Sequence, residues 1–215
     1  MIDYTLLKPE ATSDDIIKLC REAAKHRFTA VCVNSSFVRL AARELEKSPV
    51  KVCTVVGFPL GASSIEAKVA EAKQAAIDGA DEIDMVLNIG ALKEGDSTYL
   101  MSEGDRVIEG ARDERKDILF KFILEMPLLN QHEILLGCWV ATGTGADFVK
   151  TSTGFATRAV TVEDVRFLRS TVGDNFGVKA AGGIKDLPTA LSLIDAGAQR
   201  LGTSSALQIL SQWPD

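Results

Sequence analysis

The feature that most limits what this chain can fold into is an alternation kept from end to end. Short β-rich runs at Ile2–Leu6, Ala30–Asn34, Lys51–Gly57, Glu82–Asn88, Leu119–Glu125, Phe148–Ser152, Gly177–Ala180 and Arg200–Thr203 are separated by segments with helical periodicity. Ile16, Leu19, Cys20 and Ala23 share one helical face, as do Ile65, Val69, Ala72 and Ala76, and Leu187, Ala190, Leu191 and Ile194, so each helix has an apolar side to lay on a sheet. No Pro/Ser-rich linker or low-complexity stretch interrupts the pattern, and one domain over residues 1–215 is expected. Eight strictly alternating β and α units predict an α/β fold, a single closed (β/α)8 TIM barrel. The alternative, an open doubly wound sheet, lacks its G-x-G-x-x-G fingerprint here.

The punctuation agrees with that pattern. Ser63 with Glu66 and Thr161 with Asp164 have the spacing of a capping box, in which hydroxyl and carboxylate satisfy the first free N–H groups of a helix. Gly79-Ala80-Asp81, Gly145-Ala146-Asp147 and Gly197-Ala198-Gln199 form a short internal repeat that precedes three of the strands, with glycine where a helix stops in the left-handed conformation.

Composition removes several classes of function. Thirty acidic against 24 basic side chains give a net charge of -6, which leaves no diffuse basic surface for nucleic acid. No apolar run approaches the roughly 20 residues that span a bilayer, and no signal-peptide succession opens the chain, so a cytoplasmic protein without a membrane partner is expected. The four cysteines Cys20, Cys32, Cys53 and Cys138 lack C-x-x-C spacing and read as free core thiols. The only histidines, His26 and His132, fall in helical segments, poor material for a zinc site.

In such a barrel the inward polar residues near the C-terminal ends of the strands form the site. Side chains alternate along a strand, so Ile83, Met85 and Leu87 suit the helix layer while Asp84 and Val86 face the axis. The same parity turns Lys121 and Glu125, Lys150, and Lys179 inward, so three lysines and two carboxylates are expected to converge. A buried Lys–carboxylate pair by itself can simply neutralise its own charge. Two lysines on adjacent strands, each followed by small residues, suit catalysis better. A lysine attacks a carbonyl only as the neutral amine, and the positive charge of Lys179 beside Lys150, with partial burial, would favour that form. Gly154, Gly182-Gly183 and Gly202-Thr203-Ser204-Ser205 follow the last three strands, where backbone amides can approach an anion, and they predict a phosphate-ester substrate.

Five motifs then occur in one order. Thr5-Leu6-Leu7-Lys8-Pro9, Val55 to Gly61 (VVGFPLG), Gly79 to Asp84 (GADEID), Asp147 to Gly154 (DFVKTSTG) and Val178 to Gly183 (VKAAGG) resemble deoxyribose-phosphate aldolase from Ile2 to about Leu210. The resemblance implies reversible cleavage of 2-deoxy-D-ribose 5-phosphate to D-glyceraldehyde 3-phosphate and acetaldehyde, with no metal and no cofactor. It implies Lys150 as the Schiff-base lysine, Lys179 as the second lysine that keeps it nucleophilic, and Asp84 as the carboxylate that relays protons with water. Gly154, Gly182, Gly183, Ser204 and Ser205 fall where the family holds the phosphate. Thr153 belongs to the same motif, and Asp3, Cys32 and Lys121 align at or near its pocket. For Cys32 a small core residue is the preferred reading. By analogy a homo-oligomer, dimer or tetramer, is expected.

The chain also departs from that pattern. Where the family has threonine after Glu125 and then a charged helix, Met126-Pro127 leads into an apolar run with Ile134-Leu135-Leu136 and Trp139-Val140, which suggests a face for a partner subunit. Phe155 stands where some members carry lysine, leaving Arg158 as the substitute cation near the phosphate. The sequence shows neither a helix before the first strand nor the tyrosine-ended tail of some members, its last residues being Gln212-Trp213-Pro214-Asp215. Two other functions fit fewer of these residues: a transaldolase-like Schiff-base enzyme, and a phosphosugar-binding pseudoenzyme, which would have no use for a perturbed amine.

Overall fold

The computed structural model describes residues 1–213; the end of the tail, Pro214-Asp215, lies outside them. Eight parallel strands close in sequence order into a barrel: β1 (Ile2–Leu6), β2 (Ala30–Val33), β3 (Lys51–Val56), β4 (Glu82–Val86), β5 (Leu119–Ile123), β6 (Phe148–Lys150), β7 (Gly177–Ala181) and β8 (Arg200–Thr203). The last strand returns to the first with Ile2 beside Leu201 and Tyr4 beside Thr203. Around it lie α1 (Ser13–His26), α2 (Val38–Glu44), α3 (Ile65–Asp78), α4 (Ile89–Glu94), α5 (Ser97–Glu114), α6 (Gln131–Gly143), α7 (Val162–Val172), α8 (Leu187–Asp195) and α9 (Ala206–Ser211). No helix among the described residues is long and apolar enough to cross a membrane.

Strand parity divides the interior in two. Ile83, Met85, Leu87, Phe120, Phe122, Val149, Val178 and Leu201 point outward and join Ile16, Leu19, Ala72, Leu100, Val107, Leu168 and Leu193 of the helices in one continuous apolar layer. The lumen has a separate, smaller apolar cluster, Leu7, Ala30, Cys32, Cys53 and Val55, on the side of β1–β3. All four cysteines are free and buried, as their scattered spacing suggests.

Several boundaries differ from the sequence pattern. Asn34, Gly57, Leu87-Asn88, Leu124-Glu125 and Thr151-Ser152 lie beyond the ends of their strands, and β7 runs one residue further, to Ala181. Leu87, Leu124, Glu125, Thr151 and Ser152 are buried although they lie outside the ladder, whereas Asn34, Gly57 and Asn88 are partly exposed. After β4 the chain forms two helices, broken at Gly95, which is left-handed at φ 70°. The cap of α3 is Ser64, whose hydroxyl accepts from Ala67 N at 3.3 Å, so the expected pairing of Ser63 with Glu66 is corrected. Glu66 lies instead in the first turn and reaches Arg106 at 3.1 Å. Thr161 and Asp164 do form a capping box, and Thr12 with Asp15 and Asn130 with Glu133 form two more. Gly79, Gly145 and Gly197 are all left-handed, as their position before a strand requires.

Close packing between β6 and β7 sets a limit on side-chain size. A Cβ on Gly177 would fall 2.3 Å from the Phe148 ring. Gly177→Ala should therefore destabilise the fold by about 1–3 kcal/mol through overpacking, measured as a lowered urea midpoint with an unchanged slope. An unchanged midpoint would show that Phe148 can yield without cost.

Candidate active site

Charged side chains from β1 and from β4–β8 meet in the lumen. Asp84 extends inward from the middle of β4, where it sits beside Lys121 of β5. One carboxylate oxygen, Oδ2, takes Lys150 Nζ at 2.8 Å and Lys179 Nζ at 2.7 Å, while Oδ1 takes Lys121 Nζ at 2.9 Å and the Cys53 thiol at 3.2 Å. Lys150 and Lys179 are register partners on β6 and β7, so the ladder itself holds the two ammonium groups on one oxygen. Lys179 also pairs with Asp3 Oδ2 at 2.5 Å. Below, Arg200 of β8 reaches Asp3 Oδ1 and closes a fork on Glu82, with contacts of 2.9 and 3.0 Å, and Glu82 takes Lys121 at 2.6 Å. Three carboxylates and four cations thus form one connected network.

Burial opposes every charge here, and the partners decide the outcome. Burial pushes the Asp84 carboxyl up, but Lys121, Lys150 and Lys179 together hold it well below the usual carboxylate range. Burial likewise raises Asp3, and Lys179, Lys121 and Arg200 bring it below its ordinary value. Lys179 is drawn down by burial, yet Asp3 and Asp84 hold it well above the ordinary ammonium value. Lys179 is therefore a cation in the resting site. The Cys32 thiol is lowered chiefly by the neighbouring Cys53 thiol, while burial pushes Cys53 well up.

Above the network a cavity of about 410 Å³ opens at the C-terminal ends of the strands. Lys150 is the network member that lines it. Part of its wall is a cup of backbone: Gly154, Gly182 and Gly183 are left-handed at φ 90°, 106° and 74°, and a Cβ on Gly183 would fall 2.6 Å from Ala159 Cβ. Val160 N donates to Gly182 O at 3.0 Å and ties the Gly154–Ala159 loop to β7. Thr203 and Ser204-Ser205 complete the cup, with Thr203 Oγ1 donating to Ile184 O at 2.6 Å and accepting from Ser205 N at 2.9 Å.

Of the residues singled out in the sequence, Lys150, Thr153, Gly154, Gly182, Gly183, Ser204 and Ser205 line the cavity. Asp84, Lys179, Lys121 and Asp3 lie beneath it, fully buried in the network, and Cys32 is a buried lumen residue beside Cys53. Glu125 does not converge with the lysines as expected. The strand ends at Ile123, and Glu125 takes a left-handed conformation at φ 57° that turns its carboxylate onto Thr153, accepting from both its hydroxyl and its N–H. Arg158 lines the cavity but is forked onto Asp164 at 2.6 and 3.0 Å. It is not the sole cation there, because Lys8 and Lys185 also line the cavity and are exposed. These two were missed, as were Glu82 and Arg200. Strand parity marks the latter pair as inward, whereas loop lysines carry no periodic signal.

Among the described residues, two groupings of possible ligands have these atoms within 4.8 Å of one another, Cys32 with Cys53 and Asp84, and Asp3 with Cys53 and Glu82. Each of those carboxylates already bonds at least two ammonium or guanidinium groups. A metal ion would have to displace them.

The depressed native pKa values of Asp84 and Asp3 have a definite sign. Unfolded carboxyls near 3.8 take up protons before the native ones do, so the stability they provide is complete above that pH and is lost as pH falls through the lower native values. Urea midpoints followed from about pH 5 to about pH 2 should drop, and Asp84→Asn should make that drop shallower. Parallel profiles would remove Asp84 as the responsible group.

Residues 1–212 match the family model described as DeoC/LacD family aldolase. A protein from Brevibacillus brevis named deoxyribose-phosphate aldolase is 52% identical over 210 residues, covering 98% of this chain and 93% of the relative. A crystal structure described as a putative deoxyribose-phosphate aldolase from Coccidioides immitis superposes with a TM-score of 0.91 at 39% identity, covering 98% of this chain and 83% of the other. A deoxyribose phosphate aldolase from Aeropyrum pernix, described as a unique tetrameric structure, does so with a TM-score of 0.91 at 34% identity, covering 98% and 88%. With a closed eight-stranded barrel, a lysine network under a cavity and matches across nearly its whole length, the chain belongs to the DeoC/LacD family of aldolases.

Proposed function

We propose that this enzyme, with the barrel as its single domain, is a class I deoxyribose-phosphate aldolase that reversibly cleaves 2-deoxy-D-ribose 5-phosphate to D-glyceraldehyde 3-phosphate and acetaldehyde through a Schiff base on Lys150. The observation that carries this reading is that Lys150 alone among the network residues lines the cavity, together with a glycine and serine cup suited to a phosphate.

Lys150 Nζ adds to the aldehyde carbon of the open-chain sugar, and loss of water from the carbinolamine leaves an iminium. The iminium draws the electron pair of the bond between the second and third carbons as that bond breaks, and the hydroxyl on the third carbon loses its proton to become the aldehyde of glyceraldehyde 3-phosphate. The remaining enamine takes a proton at carbon, and water releases acetaldehyde. Asp84, bonded through one oxygen to both Lys150 and Lys179, is placed to pass protons during carbinolamine formation and collapse. With four cations against three carboxylates, conversion of Lys150 to a neutral amine brings the network to charge balance, and Lys179 remains the fixed positive charge beside it. Lys121 and Asp3 then serve the reaction from below by holding Asp84 and Lys179 in place.

The phosphate is received by backbone N–H groups around Gly154, Gly182, Gly183, Ser204 and Ser205, with Thr153 held by Glu125 at the edge of the cup. Lys185 and Lys8 supply its positive charge in place of the lysine absent at Phe155. A cytoplasmic homo-oligomer, dimer or tetramer, completes the proposal, supported by the exposed Leu135 and Trp139 on α6.

Borohydride added during turnover of deoxyribose 5-phosphate should fix a two-carbon adduct on Lys150, located by peptide mass spectrometry. Lys150→Ala should lose the adduct and lower kcat by roughly four orders of magnitude or more. A folded wild-type protein that forms no adduct would sink the aldolase reading in favour of phosphosugar binding. Lys185→Met should raise KM about ten-fold, a loss of about 1.4 kcal/mol, for the phosphorylated substrate and leave KM for unphosphorylated deoxyribose unchanged. An equal rise for both sugars would place Lys185 outside the phosphate contact.

A further inference from the structure

Behind the barrel wall, between α3 and α5, lies a second ionic pair that the lumen chemistry does not use. Lys68 and Glu103 are fully buried and bond at 2.7 Å. Burial draws Lys68 down and pushes Glu103 up more strongly than their attraction compensates. Such a pair adds little net stability, since well-packed apolar residues of similar volume often serve as well.

Its remaining hydrogen bonds all go to backbone at the catalytic end of the barrel. Lys68 Nζ donates to Val86 O at 2.7 Å, and Glu103 Oε2 accepts from Asn88 N at 3.0 Å, bracketing the exit of β4. The stem of Lys68 is also the surface on which the turn after β3 rests, because a Cβ on Gly57 would fall 2.6 Å from Lys68 Cε. On the same helix, Glu71 accepts from Gly57 N at 2.9 Å. That turn closes with Gly61 N donating to Gly57 O at 2.7 Å, and it presents Phe58 edge-on to Phe155 at 5.2 Å. Phe155 lines the cavity directly after Gly154 of the cup.

We propose that Lys68 and Glu103 are positioning residues for the phosphate end of the substrate, acting through the Gly57–Gly61 turn and the Phe58–Phe155 contact that sets one wall of the cup. This rests on the aldolase reading above. The lumen network is tied by its own ladder and ion pairs, so the pair governs how substrate is seated and not the amine chemistry.

The test replaces both charges together, Lys68→Met with Glu103→Leu in the full-length chain, so that no unpaired charge is buried. The double variant should unfold close to the wild-type temperature, raise KM for deoxyribose 5-phosphate at least about five-fold, keep kcat within about two-fold and still trap substrate on Lys150 at saturation. Glu103→Gln, which retains an acceptor for Asn88 N, should be intermediate. Gly57→Ala, which pushes a Cβ into Lys68 without removing a charge, should give the same rise in KM and serves if the double variant does not fold. A folded variant of either kind with KM within two-fold of wild type overturns the inference. If the unaltered enzyme neither cleaves nor traps substrate, the aldolase reading has failed first, and that result involves no variant.

Discussion

The Asp84 carboxylate is the interaction on which this barrel depends. An eight-stranded barrel must fill its lumen with side chains, and the common filling is branched apolar residues. Here an apolar cluster of Leu7, Ala30, Cys32, Cys53 and Val55 supplies the β1–β3 side, with Val86 and Ile123 buried on β4 and β5. The rest holds three ammonium groups on the two oxygens of Asp84 and, below them, the fork of Arg200 on Glu82. Glu82 stands on β4 and Arg200 on β8, strands that are not neighbours, so this pair crosses the lumen. Removing one member would strand the others without water to solvate them, at a cost of about 3–5 kcal/mol for a broken buried pair. The contacts that close the barrel are also the contacts that prepare its site.

That coupling bears on why Lys150 is the position proposed to react. Lys121, Lys179 and Arg200 are enclosed among carboxylates, and Asp3 and Asp84 hold Lys179 firmly protonated. Lys150 shares the same carboxylate oxygen but sits at the last residue of β6, with its head at the floor of the cavity. A network with one more cation than carboxylates can release a proton without burying a net negative charge, and the member with access to the cavity is the one whose neutral form can meet a carbonyl. Asp84 and Lys179 touch Lys150 through one carboxylate oxygen and lie beneath the cavity.

Much of this was legible because a strand repeats every two residues. Once the strands are placed, parity alone sends Asp84, Lys121, Lys150 and Lys179 inward, and the same parity applied to Glu82 and Arg200 would have completed the network. Glu125 shows where the rule stops: the ladder ends at Ile123, and a left-handed residue two positions later no longer obeys the pleat. Lys8 and Lys185 lie in loops, where no period relates sequence to direction. Lys68 is different again. It falls three residues after Ile65 and four before Ala72, on the buried face of α3, but its charge makes it read as part of a solvated face until Glu103 arrives from another helix. The Ser63 and Ser64 alternatives illustrate the limit of capping signals, since adjacent serines offer the same chemistry and only the backbone at Ser64 selects between them.

The segment read in the sequence as a departure from the family pattern, Met126–Thr144, bears on whether the site is intact, and the contacts there are made by backbone. Leu124 N donates to Lys150 O at 3.0 Å and Met126 N to Thr151 O at 2.9 Å, while Thr151 N continues the chain of bonds to Lys179 O at 3.1 Å. The residue at 126 therefore joins the residue that follows β6 through a group that every residue but proline possesses. Its side chain is buried in the outer apolar layer, away from the lumen. The apolar character of α6 is likewise divided: Ile134, Cys138 and Val140 pack inward, Gly137 meets Leu124 so closely that a Cβ would lie 2.8 Å from its Cδ2, and Leu135 and Trp139 stay on the surface. The apolar residues of this segment shape what the barrel presents outward, while the hydrogen bonds beside Lys150 and Thr151 are made by backbone. An altered fifth helix is thus compatible with a working site, which removes the one sequence feature that favoured a non-catalytic role.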